Sequence, residues 1–135
     1  MNIYVDLNTG LVVSNAAAAM LPNVEVRTVT NAEFEALLEA KRIAEMTQSE
    51  HFKAIEHALE QHMDAVAQAD GWDDRKTCAL RAGYAGPWQQ KGIKFAQWMD
   101  NCWAYVIQEQ SKVAAGTRAM PIPAQAIAEL PAMVW

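Results

Sequence analysis

The sequence predicts an α+β protein, in which a small N-terminal antiparallel β-meander precedes a mainly α-helical body with a Pro-rich C-terminal tail. Three observations support this class. Apolar and polar residues alternate near the N-terminus, residues 31–69 are rich in strong helix formers, and apolar residues recur at helical spacing through residues 92–116. We therefore expect two parts, a β-meander in residues 1–30 and a helical body in residues 31–135.

The first part is predicted to be a hairpin followed by a third short strand. The tripeptide Asn-Thr-Gly at residues 8–10 suits a three-residue hairpin loop with glycine in the left-handed conformation. An alanine run and Met-Leu-Pro in residues 16–22 predict a connector of at most one helical turn, because proline disfavours helix at the residue before it. The predicted strands cover residues 2–7, 11–13 and 24–29.

Residues 31–69 contain a clear helix start and a less certain middle. Thr30 and Glu33 have the spacing of a capping box, in which each side chain accepts a hydrogen bond from the other residue's backbone N–H. A polar stretch at residues 47–50 separates two apolar faces. We favour one long bent helix, with two helices broken at residues 47–49 as the alternative. The two faces comprise Phe34, Leu37 and Leu38, and then Phe52, Ile55, Leu59, Met63 and Val66.

Glycine and proline punctuate the rest of the chain. Gly71 is a candidate left-handed C-cap, and Asp73 or Asp74 can cap the short helix that follows. Residues 83–87 predict a turn, and Gly116 ends the aromatic-rich helix. Three prolines after it define a tail with one short helix. The predicted helices after Gly71 cover residues 74–82, 92–115 and 124–130.

The aromatic-rich helix is the element that the rest of the chain must cover. The residues that recur at helical steps and predict core positions are Phe95, Met99, Cys102, Val106 and Val113, whereas Trp98 and Tyr105 widen the stripe on one flank. A stripe this wide is too apolar for a surface helix. We therefore expect it to be covered by the chain itself and, on the flank, by a partner.

The bulk composition limits the partners. The net charge is −5 with a pI near 5.1, and the 11 Lys and Arg residues are spread along the chain, so we expect no nucleic-acid partner. Residues 11–22 fall short of the about 20 residues that a membrane span needs. We expect no signal peptide and no membrane partner. Cys78 and Cys102 are predicted to be buried free thiols in a reducing compartment, although a disulfide between packed helices stays open.

No motif for catalysis or metal binding accompanies these elements. His51, His57 and His62 are separated by six and five residues, whereas two imidazoles on one helix need a spacing of four to share a zinc ion. The carboxylates of residues 70–74 suit a helix start better than a calcium loop. Neither cysteine has a polar neighbourhood that would activate a thiolate. We therefore expect no enzyme, no catalytic residue, no metal and no cofactor.

The second half of the chain resembles a family of small tailed-bacteriophage proteins encoded near tail-fibre genes. The resemblance covers about residues 68–135. It lies in a succession of aromatic, glycine and proline residues and not in a catalytic signature. The residues that carry it are Gly71, Trp72, Asp73, Cys78, Trp98, Cys102, Trp103, Ala104, Tyr105, Val113, Gly116, Thr117, Arg118, Met120, Pro121, Glu129, Leu130, Pro131 and Trp135.

This resemblance implies a tail-fibre assembly chaperone or a fibre-associated tail protein without cofactor or catalytic residue. The expected partner is a phage tail fibre or another tail subunit. The expected location is the host cytoplasm, or the virion tail if the protein is retained there. Together with the aromatic stripe and the apolar C-terminal cluster Met133-Val134-Trp135, the resemblance predicts a partner-binding surface. This surface comprises Tyr84, Trp88, Trp98, Trp103, Tyr105 and Trp135.

Two other functions fit the same sequence. A small acidic phage protein could bind and inhibit a basic host factor, because its charge would steer it to such surfaces. A homo-oligomer held by the helices is the other option, although the interrupted apolar pattern of residues 34–66 argues against a continuous coiled coil.

Overall fold

The computed structural model describes residues 2–14 and 23–135, and it confirms the α+β class. A small antiparallel sheet is followed by helices. The predicted connector at residues 16–22 lies outside the described residues. Contacts divide the chain into two compact units, Met1–Thr47 and Gln48–Trp135. The division falls later than the predicted boundary after residue 30, because the first long helix packs with the sheet.

The sheet of the first unit has β1 (Asn2–Asp6) at its centre, between β2 (Val12–Val13) and β3 (Val24–Thr28). This order differs from the predicted meander, in which β2 would be central. β1 pairs with β2 on one edge and with β3 on the other, and its alternation places Ile3 and Val5 on the buried face. Gly10 adopts a left-handed φ of 70° in the hairpin loop, as predicted.

Helix α1 (Asn31–Glu45) begins at the predicted capping box. The Glu33 backbone N–H donates to Thr30 Oγ1 at 3.2 Å, and the Thr30 N–H donates to Glu33 Oε2 at 2.8 Å. Phe34 and Leu37 pack on the sheet's buried residues, and these contacts complete the core of the first unit. That core consists of Ile3, Val5, Val12 and Val29.

The favoured single helix over residues 31–69 is wrong, and the two-helix alternative is correct. α1 ends at Met46, whose backbone is extended (φ −68°, ψ 138°), and α2 occupies Gln48–Ala69. The two apolar faces pack into different cores, with Phe34 against the sheet and Leu59 in the second unit. In one continuous straight helix the directions of the two apolar faces would be fixed relative to each other. The break removes this constraint, so each face can pack into its own core.

The second unit continues with α3 (Arg75–Leu80), a 3₁₀ turn (Arg81–Gly83), α4 (Gln89–Ala114) and α5 (Pro123–Ala128). α4 begins three residues earlier than predicted, so Gly92 lies inside it and does not start it. The left-handed φ of 95° at Gly71 and of 78° at Gly116 agrees with the predicted helix ends.

The core of the second unit lies between α2, α3 and α4, with α5 covering one end. Phe95, Cys102 and Val106 of α4 are buried as predicted, and Met99 is partly buried. Trp98 joins them. The other buried members are Ile55, Leu59, Met63, Ala67, Cys78 and Ala126.

Candidate binding surface

The most exposed aromatic residues of the second unit lie on the segment that joins α3 to α4. Tyr84 is 58% exposed and Trp88 is 53% exposed, and Leu80 at the end of α3 is 60% exposed. We call residues 80–88 the aromatic turn. The transfer of large apolar side chains out of water lowers the free energy. Three such side chains exposed within nine residues therefore mark a candidate interaction site.

Gly92 holds the aromatic turn close to α4. A Cβ atom at Gly92 would lie 2.5 Å from the backbone nitrogen of Ala82 and 2.8 Å from the carbonyl carbon of Arg81. Only glycine allows this approach. The Gln89 side-chain amide also donates to the Ala82 carbonyl oxygen at 3.3 Å, so two contacts fix the turn on the first part of α4. Sequence reasoning missed this role, although a glycine inside a helical pattern is a known sign of close packing.

A groove beside the aromatic turn combines two tryptophans with charged side chains. The Arg81 guanidinium lies over the Trp88 ring, with its Cζ 5.8 Å from the ring centroid. Lys91 Nζ donates to Asp70 Oδ2 at 2.9 Å, and the Trp72 indole N–H donates to the same oxygen at 3.1 Å. The hydrogen bond from Lys91, with that from Trp72, holds the pKa of Asp70 below its usual range.

Trp98 does not belong to the exposed surface that the sequence predicts. It is only 5% exposed, and its indole N–H donates to the Pro131 carbonyl oxygen at 2.7 Å. Its ring also packs at 5.4 Å from that of Phe95. The chain's own tail therefore covers the flank that was expected to meet a partner. Trp103 is partly buried and packs against the same core.

Tyr105 takes part in a charged network that joins α4 to α5. Its hydroxyl donates to Glu129 Oε2 at 3.0 Å, and Arg118 forms ion pairs with both Glu129 and Glu109. Burial raises the pKa of the Tyr105 hydroxyl, and the Glu129 carboxylate raises it further. The hydroxyl is engaged within the chain, so Tyr105 is a poorer candidate for partner contact than Tyr84.

Trp135 also packs on the chain itself. Its ring stacks on Phe95 with centroids 5.7 Å apart and planes 7° from parallel. Lys91 Nζ lies 5.5 Å from the Trp135 ring centroid, and the same Lys91 side chain forms an ion pair with Asp70. Trp135 therefore remains partly buried, and its ring connects the tail to α4.

The cysteines and one of the histidines considered in the sequence analysis pack within the protein. Burial raises the pKa of the Cys78 and Cys102 thiols to about 11, so both are protonated at neutral pH, and both are free. The His62 ring lies 5.9 Å from that of Trp98. Across residues 2–14 and 23–135 the structure holds no group of three or more His, Cys, Asp or Glu side chains placed to share a metal ion.

Comparison with protein families, curated proteins and solved structures finds no match to the chain. Within the described ranges, none of the helices combines the length and the apolar character needed to cross a membrane. The candidate site is therefore defined by its own geometry. Of the six predicted residues, Tyr84 and Trp88 form the exposed aromatic turn, whereas the remainder pack wholly or partly against the chain: Trp98, Trp103, Tyr105 and Trp135.

Proposed function

We propose that the protein is a bacteriophage tail-fibre assembly chaperone or fibre-associated tail protein, and that the aromatic turn binds the fibre. The observation that carries this proposal is the exposure of Leu80, Tyr84 and Trp88 on one short segment. The resemblance of residues 68–135 to phage proteins encoded near tail-fibre genes supports the choice of partner. None of the residues that carry the resemblance lies in the aromatic turn, and residues 84–93 differ from the family's usual loop, so the choice of this segment rests on its exposure.

The aromatic turn has the properties of an interface centre. Trp and Tyr are enriched among the residues that dominate binding free energy, because they bury a large area and lose few rotamers. Gly92 and Gln89 already fix the backbone of the turn against α4 and Ala82. Since the turn is ordered before binding, the partner does not have to supply the free energy of ordering it.

The function proposed here is non-covalent. Apolar side chains of an unassembled fibre would be covered by Leu80, Tyr84 and Trp88 until fibre chains replace these contacts with their own. Such an exchange needs a surface of moderate size, because a very tight complex would block assembly. A site centred on two aromatic rings, with half of each already buried in the free protein, meets that condition.

Co-expression with the neighbouring fibre gene tests the proposal. We expect the wild-type protein to raise the yield of soluble fibre trimer, and Trp88→Ala to abolish the gain. Ile107→Ala is the matched control, because Ile107 is 58% exposed on α4, about five turns beyond Trp88 and roughly 28 Å away from it.

An unchanged trimer yield in the absence of the protein would refute the proposal. Thermal unfolding of each variant checks that its fold is intact, and Trp88→Ala should retain the wild-type midpoint because the ring is half exposed. A lysate pull-down that recovers a basic host factor and no tail protein would replace the proposal with the inhibitor function.

A further inference from the structure

We propose that the aromatic turn recognises a carboxylate that lies beside an apolar side chain on the partner, with Arg81 as the residue that binds the carboxylate. This inference rests on the proposed function and specifies the chemistry of the fibre segment. The partner would be an acidic, apolar-containing stretch of polypeptide. Three observations support this inference. They are the excess of basic residues around the turn, the exposure of Arg81 without a carboxylate at ion-pair distance among the described residues, and the position of nearby acidic residues.

The aromatic turn lies in a basic segment of an acidic chain. The whole protein has a net charge of −5, yet residues 75–99 contain no Asp or Glu. Five of the 11 Lys and Arg residues of the chain fall in this segment, and no acid is interleaved with them. The segment's cations are Arg75, Lys76, Arg81, Lys91 and Lys94.

Arg81 is the cation of this segment that is positioned to meet a ligand at the aromatic turn. Arg75 is paired with Asp64 at 2.8 Å, and Lys91 is paired with Asp70 at 2.9 Å. Arg81 is exposed, and among the residues that the structure describes no carboxylate lies at ion-pair distance from it. The Arg81 guanidinium lies over the Trp88 ring, with its Cζ 5.8 Å from the centroid. Its planar fork of N–H donors has the geometry to bind a carboxylate in bidentate fashion.

The surroundings favour a single carboxylate over a polyanion such as a nucleic acid. Asp70 lines the same groove, and Asp73 and Asp74 follow it closely in sequence. An extended phosphate backbone would meet these negative charges. A polypeptide can place one carboxylate at Arg81 and one apolar side chain on the exposed aromatic turn without laying a row of negative charges along these acids.

Titration of the purified protein with the C-terminal region of the adjacent fibre tests this inference. Arg81→Gln should weaken binding on the order of tenfold and flatten its salt dependence, because a charge-assisted hydrogen bond is lost. Lys53→Gln is the matched control, since it removes an exposed cation of α2 that has no ion pair among the described residues. A fibre fragment with Asp and Glu changed to Asn and Gln should bind the wild-type protein as weakly as Arg81→Gln binds the acidic fragment.

The outcomes separate this inference from the proposed function. If Trp88→Ala loses binding while Arg81→Gln and the neutral fragment bind normally, the aromatic site stands and the carboxylate inference is overturned. If neither Trp88→Ala nor Arg81→Gln weakens fibre binding, both proposals fail. A single-stranded oligodeoxynucleotide that binds more tightly than the acidic fragment, and loses affinity with Arg81→Gln, would overturn the inference in favour of a nucleic-acid ligand.

Discussion

Gly92 is the single residue on which the position of the aromatic turn depends most. Because Gly92 has no side chain, α4 can lie close to the backbone of the turn. A Cβ added at Gly92 would be only 2.5 Å from the Ala82 backbone nitrogen. Gly92→Ala should therefore push the turn from the helix and lower the free energy of unfolding by about 2 kcal/mol, as overpacking does in other cores. Chemical denaturation with fluorescence or circular dichroism measures this.

Gly86→Ala provides the control for this prediction. Gly86 lies in the same segment, and an added Cβ there would meet nothing within 4 Å. Its free energy of unfolding should stay within about 0.5 kcal/mol of the wild type. Equal unfolding midpoints for Gly92→Ala and the wild type would show that α4 and the turn are not in close contact.

The sequence predicted the burial of the core residues of α4 well, but it predicted the exposure of the aromatic flank poorly. Phe95, Cys102 and Val106 are buried because their spacing alone puts them on one face of the helix. Trp98 lies at the edge of that face, so its exposure depends on what covers the edge. The cover is the Pro131 carbonyl, 33 residues away, and no local pattern predicts such a contact.

At the scale of elements, Arg118 connects α5 to α4. Its guanidinium binds Glu129 and Glu109, and the hydrogen bonds that it donates to Glu129 hold the pKa of the Glu129 carboxyl below its usual range. Such a depressed pKa contributes stability that is present at neutral pH and is lost as pH falls through the folded-state value. When the pH is lowered from about 7 to about 3, the thermal unfolding midpoint of Arg118→Met should therefore fall less than that of the wild type.

Differential scanning calorimetry across this pH range measures the effect. Lys53→Met is the control, because it removes one positive charge from the same unit without removing an ion pair among the described residues. It should keep the wild-type pH dependence. Parallel midpoint curves for Arg118→Met and the wild type would show that the network does not stabilise the second unit.

Element boundaries could be predicted where a cap or a left-handed glycine defines them. The Thr30 capping box and the Asp74 cap, which accepts from the Thr77 backbone N–H at 2.8 Å, begin their helices as expected. The break at Met46 could not be decided locally, because residues 47–50 suit a helix interior nearly as well as a helix start. The separate cores of the two apolar faces decide it.

At the scale of the whole molecule, each unit has a core drawn from its own residues. The buried members of the larger core all lie in Gln48–Trp135, and those of the smaller core lie in Met1–Thr47. A fragment of residues 48–135 should therefore fold alone and unfold cooperatively, because a core of this size can offset its conformational entropy. Circular dichroism melting of the fragment tests this.

The same fragment also bears on function. It contains the aromatic turn and Gly92, so we expect it to bind the fibre with the affinity of the full chain. A fragment without a cooperative transition would show that the first unit is needed to complete the second. The α+β class was predictable from the two apolar periodicities, whereas the order β2-β1-β3 depends on pairing between distant strands.

Hydroxyl-radical footprinting of the protein with and without the fibre's C-terminal region tests the central claim most directly, because it reports the solvent exposure of single side chains. Oxidation of Tyr84 and Trp88 should fall when the fibre is added, whereas Ile107, which is exposed further along α4, should be oxidised equally in both samples. If Tyr84 and Trp88 stay as reactive in the complex as in the free protein, the aromatic turn is not the surface that binds the fibre.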